Sequence, residues 1–291
     1  MWNALTVDVE EHFHVSNFSR VIREEDWASL ESRVEWNSLK LLDLLDEAGA
    51  RGTFFVLGWV AKRHPALVRE IHRRGNEVAC HGYSHKLISR QTPEEFLKDV
   101  RRAKAILEDI IGEAVIGYRA PSFSLTSRAP WALEILAGLG FVYDSSLSPI
   151  HDHRYDAPNG ARFIHRIAVN GSGLWEVPLS SVRVLGMNLP IAGGGYFRLY
   201  PYAVTRWGLR RLDQEAQPAV VYIHPWEVDP EQPRVPAPLL SRFRHYVNLH
   251  RTEGRLRHLL QEFSFAPVRE ILGLRDPSSV DATYQDCMEA A

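Results

Sequence analysis

Two histidines four residues apart are the residues in this sequence best suited to binding a metal ion. His81 and His85 follow the apolar run 78–80, which has the length and composition of a buried strand. The carboxyl ends of strands carry the chemistry in α/β proteins, and neutral imidazole is the commonest metal ligand. The spacing alone predicts little, because the chain holds 13 histidines and two histidines capping a turn would give the same pattern.

Polar side chains also follow other apolar runs of the sequence. The first run ends in the acidic residues Asp8 and Glu10, a later run leads into Arg119, and another ends at His224. If these strands are parallel, their carboxyl ends meet on one face of the fold. Two histidines and one carboxylate on such a face form a hydrolytic metal site with open positions for water and substrate.

Each group near such a site has a task in hydrolysis. A bound metal lowers the pKa of its water and polarises a carbonyl, with His81, His85 and Glu10 as ligands. Asp8 would then take the proton from that water, and His224 would protonate the leaving group. A tetrahedral oxyanion needs the metal or a backbone N–H directed at it.

The elements that must position these residues alternate between strand and helix. The pattern favours a parallel sheet or a barrel covered by helices. Residues 149–201, rich in aromatic residues, glycine and proline, are expected to form short strands and long loops. Predicted strands are 4–9, 53–57, 78–80, 114–118, 141–143 and 218–223; predicted helices are 34–48, 60–74, 93–111, 130–138 and 239–263.

The composition of the 291-residue chain is that of an ordinary globular protein, with 45% hydrophobic and 24% charged residues. A net charge of −2 gives no electrostatic reason to expect nucleic acid or an anionic membrane as a partner. Two cysteines are too few for a disulfide framework. We expect a cytoplasmic protein, because neither a signal peptide nor an apolar run of transmembrane length is visible.

The chain resembles the polysaccharide deacetylase family, which comprises carbohydrate esterases with a NodB homology domain. The resemblance covers roughly residues 3–228. The segment from His224 to Tyr246 is similar to a branch found with exopolysaccharide and exosortase loci. The family motifs occur in the usual order, at Thr6–Glu10, His81–His85, Arg119–Ser122, Asp144–Ser145 and Val221–His224.

The resemblance implies an α/β fold, a distorted (β/α) barrel of about seven strands with helices outside. It also implies a divalent metal, usually Zn²⁺, and removal of acetyl groups from N-acetylated sugars. Asp8 would be the general base, held by Arg119, and His224 the general acid, with its pKa tuned by Asp144. The backbone N–H of Ser122 would lie in the oxyanion hole.

The first motif departs from the family pattern at the metal ligand. Val9 stands where most members have the second acid of the motif. Some members carry Asp-x-Asp instead, which indicates Glu10 as the ligand, with Glu11 and His12 as rivals. Zinc, cobalt and iron-group ions all remain open.

The residues expected to contact the substrate also differ from the family pattern. Ser122 occupies the place of the usual aromatic residue of the third motif, and Phe123 follows it. Tyr196 and Trp226 are candidates for stacking on sugar rings, although packing in the core explains such residues equally well.

The leading hypothesis is therefore a metal-dependent N-deacetylase acting on a polysaccharide or glycan precursor. A hydrolase of a non-sugar C–N amide, of the purine or ureide type, and a catalytically silent glycan-binding module are the alternatives. We expect one domain over residues 1–275, with a helical extension over about 235–275 and a polar tail at 276–291. The sugar, its chain length, the choice between a lipid-linked and a free substrate, and the oligomeric state stay open.

Overall fold

The computed structural model describes residues 1–149, 161–169, 171–191 and 193–274. The predicted polar tail lies outside these described residues. The strands are β1 Trp2–Val9, β2 Thr53–Val56, β3 Glu77–Cys80, β4 Gly117–Tyr118, β5 Tyr143–Asp144, β6 His165–Val169, β7 Ser172–Glu176, β8 Ser181–Val184, β9 Met187–Pro190, β10 Val220–Ile223 and β11 Ser264–Ala266. The helices are α1 Val34–Glu47, α2 Gly58–Arg63, α3 Pro65–Arg73, α4 Pro93–Ile111, α5 Trp131–Gly138, α6 Gly194–Leu199, α7 Tyr202–Gln214, α8 Leu239–Tyr246, α9 Leu249–Glu262 and α10 Val268–Ile271.

The main sheet is largely parallel, as the alternation of strands and helices predicted. Its order is β10-β1-β2-β3-β4-β5-β7-β6, with β11 paired to β1, and only β6 runs antiparallel to its neighbour. The parallel row from β10 to β7 therefore has seven strands, in agreement with the expected number. All these strands direct their carboxyl ends to the same side.

The two ends of the parallel row meet through one serine. Ser180, just after β7, donates its backbone N–H to the carbonyl of Val220 in β10 at 3.4 Å. The N–H of Val220 in turn donates to the Ser180 hydroxyl at 2.7 Å. The sheet consequently curves back on itself, which is the arrangement expected for a distorted barrel.

The strands β2, β3, β4 and β5 are buried along their whole length, as expected for a parallel sheet covered on both faces. One face joins the helices in the main hydrophobic core. The other face forms a smaller cluster that includes Ala4, Phe55, Ala79, Tyr143 and Val220. In the strand register Asp8 pairs with Phe55, so the acid lies directly beside this second cluster.

Two of the predicted helices are interrupted. The predicted helix 60–74 is divided between α2 and α3, because Pro65 disfavours helical geometry at His64. The predicted helix 239–263 is divided between α8 and α9 at Asn248, which has a left-handed backbone with φ of 54°. The side chain of Asn248 donates to the carbonyl of Arg198, which holds this turn against α6.

No helix of the described ranges combines the length and apolar character needed to cross a bilayer. The expected cytoplasmic location stays a prediction.

Candidate active site

The residues predicted to do chemistry meet at the carboxyl ends of the parallel strands. Asp8 and Glu10 end β1, His81 follows β3, Arg119 follows β4 and His224 follows β10. A cavity of about 390 Å³ opens at this side, and Asp8, Glu10, His81 and His224 line it. Residues separated by more than 200 positions in the sequence therefore share one chamber.

Glu10, His81 and His85 form a cluster with the geometry of a metal site. One ligand atom from each side chain lies within 4.8 Å of the other two. His85 Nε2 is 2.6 Å from Glu10 Oε2. The Nδ1 atom of His81 is 2.9 Å from the carbonyl oxygen of Arg119, which fixes the ring and leaves Nε2 as the ligand atom.

A buried nitrogen atom without a partner indicates that this cluster suits a cation. Among the described residues His81 Nε2 is buried and lacks a hydrogen-bond partner, and the buried Glu10 Oε2 contacts His85. A buried polar atom without a partner is costly, and a bound cation would remove that cost at His81. Two imidazoles and a carboxylate are also a common donor set for catalytic zinc.

The protonation states of the cluster suit metal binding. Burial lowers the pKa of His81 to about 4, so the ring is neutral and can donate a lone pair. Burial by itself would raise the pKa of Glu10, but the charge and hydrogen bond of His85, with the charges of His224 and His81, hold it well below its usual range. Glu10 is therefore an ionised carboxylate.

The rival ligands of the first motif face other partners. The Glu11 carboxylate accepts hydrogen bonds from the Ser32 hydroxyl and, at 3.0 Å, from the backbone N–H of Arg33. His12 is buried with its Nδ1 atom 3.9 Å from Glu11. Within the described part of the chain, the cluster includes Glu10 but neither of these two residues.

Arg119 holds Asp8 as the sequence predicted. Its guanidinium group, which is fully buried, donates to Asp8 Oδ1 at 2.7 Å and to the Thr6 hydroxyl at 2.8 Å. The opposite side of the guanidinium donates to the carbonyl and hydroxyl oxygens of Ser145 at 3.0 and 2.8 Å. One carboxylate oxygen of Asp8 is thus fixed, and Oδ2 lies 3.9 Å from His224 Nε2.

His224 is oriented by a carboxylate that the sequence analysis did not assign. Its Nδ1 atom lies 2.6 Å from Glu227 Oε1, and its Nε2 atom lies 3.6 Å from Glu10 Oε1. Burial opposes a charge on His224, but the hydrogen bond to Glu227 and the charges of Glu10, Glu227 and Asp8 outweigh it and raise the pKa of His224 to about 9. These contacts fix the ring of His224 and favour its protonated form; its role as a general acid stays a prediction.

Asp144, which the family pattern suggested as the partner of His224, contacts Ser146 and Glu176 instead. Its carboxylate accepts hydrogen bonds from the Ser146 hydroxyl at 2.5 Å and the Ser146 N–H at 3.3 Å. It pairs across the sheet with Glu176, whose pKa is raised by burial and by the charge of Asp144. The sequence did contain a signal for Glu227, because His224-x-x-Glu227 has the spacing of a capping box, and the His224 N–H does donate to Glu227 at 3.1 Å.

Arg198 connects Glu227 to the C-terminal part of the chain. Its Nε atom donates to Glu227 Oε2 at 2.6 Å. Its Nη1 atom donates to the carbonyl oxygens of His245 and Val247 at 2.5 and 3.2 Å. The side chain is 2% exposed. The end of α8 is therefore tied through one buried arginine to the carboxylate that orients His224.

Trp226, a predicted sugar-stacking residue, is 5% exposed and stacks on two imidazoles. His224 stacks on it at 4.9 Å and 22°, and His245 stacks at 4.2 Å and 19°. Its indole N–H donates to Glu10 at 3.4 Å. Trp226 lines the cavity, and these contacts make it a support for His224 and Glu10, whereas stacking on a sugar stays a prediction.

The other predicted substrate residues border the cavity. Ser122 and Phe123 both have a left-handed backbone with φ of 53°, an uncommon geometry that concentrates at functional sites. The Ser122 hydroxyl lies 2.5 Å from that of Ser16, and the Phe123 ring packs beside the Arg119 guanidinium. Tyr196 also lines the cavity.

Comparison with known proteins finds family models that match two successive regions of the chain. Residues 34–143 match the model of the polysaccharide deacetylase family, and residues 145–273 match a domain of unknown function, DUF3473. The two matches together cover the sheet except for β1 and Asp144, so the site draws on both regions.

Curated relatives are similar to this chain over about a third of its length. A peptidoglycan-N-acetylglucosamine deacetylase of Bacillus cereus is 30% identical over 96 residues, which is 33% of this chain and 35% of the relative. A chitooligosaccharide deacetylase of Bradyrhizobium is 28% identical over 103 residues, which is 35% of this chain and 47% of the relative. The chain thus spans about a third to a half of the length of these relatives.

Solved structures share the fold over nearly the whole chain. A protein of Mycobacterium smegmatis, provisionally described as a polysaccharide deacetylase, has a TM-score of 0.63 at 22% identity, covering 93% of this chain and 88% of the other. The peptidoglycan deacetylase PdaC of Bacillus subtilis has a TM-score of 0.50 at 14% identity, covering 94% and 90%. At these identities the likeness establishes the fold.

Proposed function

We propose that this chain, which matches the polysaccharide deacetylase model over residues 34–143 and the DUF3473 model over residues 145–273, is a metal-dependent hydrolase removing N-acetyl groups from a polysaccharide or glycan precursor. The observation that carries the proposal is the cluster of Glu10, His81 and His85, which faces Asp8 and His224 across one cavity. Relatives named for deacetylation of peptidoglycan and chitooligosaccharides support an N-acetylated glycan as the substrate.

Glu10, His81 and His85 would hold the cation. When bound, a divalent cation polarises the acetyl carbonyl and makes an attacking water more acidic. The donor set favours Zn²⁺, since imidazole and carboxylate ligands with open positions are typical of catalytic zinc. His81 is kept in the required tautomer by its contact with the Arg119 carbonyl.

Asp8 would act as the general base and His224 as the general acid. Arg119 binds Asp8 Oδ1, so Oδ2 is the oxygen available to accept a proton from water. Nε2 of His224 faces the same space and would deliver its proton to the amine nitrogen as the C–N bond breaks. Ser122, beside this space, is the proposed source of an oxyanion N–H.

We further propose that residues 1–275 act as one domain. β1, β2, β3 and β4 come from the N-terminal half, whereas β7 and β10 lie in the DUF3473 region of the same sheet. His224, Glu227 and Arg198 also come from that region. The helical extension at about 235–275 supplies the carbonyl groups that hold Arg198.

The experiment that tests this function is acetate release from N-acetylated oligosaccharides. We expect release by the purified chain, loss of release after treatment with a chelator, and recovery when Zn²⁺ is restored. Release that is indifferent to chelation would contradict the metal mechanism. Turnover of cyclic amides or ureides, without any turnover of sugars, would favour the non-sugar alternative.

Glu227→Gln is expected to move the alkaline limb of the pH–rate profile to lower pH. Glu227 raises the pKa of His224, and a general acid works only while it is protonated, so a lower His224 pKa ends activity at a lower pH. Asp229→Asn is the matched control, because Asp229 is also buried and paired, with Arg33 at 2.6 Å, but it does not contact His224. An alkaline limb that moves equally in both variants would show that Glu227 acts only through the fold.

A further inference from the structure

Helix α8 borders the cavity with an exposed surface of mixed apolar and basic character. We call this surface the α8 face and define it as Leu239, Leu240, Arg242, Phe243 and Arg244. The three apolar side chains are 81%, 60% and 57% exposed in that order. Large apolar side chains clustered on one short helix indicate a binding surface, whereas single exposed ones are ordinary.

The α8 face is locally cationic although the whole chain has a net charge of −2. Residues 232–252 contain no aspartate or glutamate, and they include Arg234 and Arg251 besides the two arginines of the face. In the described part of the chain, neither Arg242 nor Arg244 forms an ion pair, and both are exposed. Unpaired cations beside apolar side chains leave both kinds of group available to a partner.

The α8 face is continuous with the candidate active site. Phe243 and Arg244 line the cavity together with Asp8, Glu10 and His224. The backbone of Arg244 accepts a hydrogen bond from Arg198 at 3.2 Å. A surface that binds the α8 face would therefore lie at the mouth of the cavity.

We infer that the α8 face docks on the surface of an anionic lipid bilayer and places the cavity beside it. Leucine and phenylalanine side chains fit the boundary between head groups and acyl chains, and arginines beside them pair with lipid phosphates. A second copy of the chain is a poorer occupant, because a symmetric contact would place arginines against arginines. If the proposed function holds, a cavity held beside the bilayer indicates that the substrate is an N-acetylated glycan anchored in the membrane.

Vesicle sedimentation of the full chain tests this inference. We expect the protein to sediment with vesicles of phosphatidylcholine and phosphatidylglycerol in equal parts, at least about tenfold more than with phosphatidylcholine alone, since each arginine near an anionic surface strengthens binding. The binding should weaken as the salt concentration rises.

Leu239→Glu combined with Leu240→Glu should reduce sedimentation at least about tenfold, because it removes the apolar anchor and adds negative charge. Neither residue lines the cavity, so acetate release from a soluble oligosaccharide should be unchanged. Trp207→Glu is the control, since it places the same acid at an apolar residue that is 46% exposed on α7, and it should sediment like the original chain.

Three results would overturn the docking. They are equal sedimentation with neutral and anionic vesicles, full retention of binding by the double variant, and a change from dimer to monomer on introducing the double variant. Vesicle binding and release from a soluble substrate are separate measurements. Binding without any acetate release would support the docking and contradict only the proposed function.

Discussion

Glu10→Gln is expected to remove both metal binding and turnover. Within the described residues Glu10 is the one carboxylate of the cluster, and its buried Oε2 atom lies 2.6 Å from Nε2 of the neighbouring ligand His85. An amide has no negative charge to offset the cation. The loss of metal affinity should therefore exceed the roughly 10- to 100-fold loss that follows removal of a residue hydrogen-bonded to a metal ligand. Acetate release should fall by at least about 10²-fold, since polarisation by a metal contributes several kcal/mol.

Metal content by elemental analysis and acetate release are the two measurements. Glu11→Gln is the matched control, because Glu11 is the next residue, is equally buried and bonds instead to Ser32 and Arg33. It should keep its metal, with any loss confined to stability. A Glu10→Gln protein that retains metal while Glu11→Gln loses it would exchange the proposed roles of the two acids.

Asp8→Asn is expected to stop turnover while leaving the metal in place. Asp8 lies outside the ligand cluster, so the substitution removes a proton acceptor and keeps Glu10, His81 and His85. Loss of a general base costs roughly 10²- to 10⁴-fold in rate. The asparagine carbonyl can still accept the hydrogen bond from Arg119. This bond limits the loss of stability that follows when the buried guanidinium loses its carboxylate partner.

The decisive comparison is kcat for acetate release beside metal content and substrate binding. We expect kcat to fall, the metal content to stay near that of the original chain, and binding of an N-acetylated oligosaccharide to persist. A thermal unfolding curve confirms that the variant is folded. Unchanged kcat in a folded, metal-loaded Asp8→Asn protein would exclude Asp8 as the base, and the same variant separates an enzyme from a silent binding module.

Under this proposal, the C-terminal region helps to hold the general acid in place. The chain of contacts runs from the end of α8 through Arg198 to Glu227 and then to His224. Trp226 adds a second path, because its ring stacks on both His224 and His245. A change at His245, at the end of α8, therefore has a physical route to the proposed general acid, whereas Leu239 and Leu240 at the start of α8 lie outside this chain of contacts.

The sequence by itself determined where the site would form. Apolar runs that end in Asp8, His81, Arg119 and His224 predict parallel strands with their polar ends on one side, and the strands of the sheet run in this direction. Local rules also predicted the start of α4. Thr92 and Glu95 exchange the capping hydrogen bonds at 2.9 and 3.3 Å. These features depend on residues near one another in the chain.

The tertiary structure alone decided which atoms face the cavity. Glu10 and Glu11 are adjacent and identical in type, and they differ because Ser32 and Arg33, from a distant segment, hold Glu11 away from the cluster. The carboxylate that contacts Nδ1 of His224 is Glu227 and not Asp144. The ring of Trp226 stacks on two imidazoles. Such outcomes depend on contacts between residues far apart in the chain. Strand patterns fix the end of the barrel at which a side chain lies, whereas only packing fixes the direction in which it points.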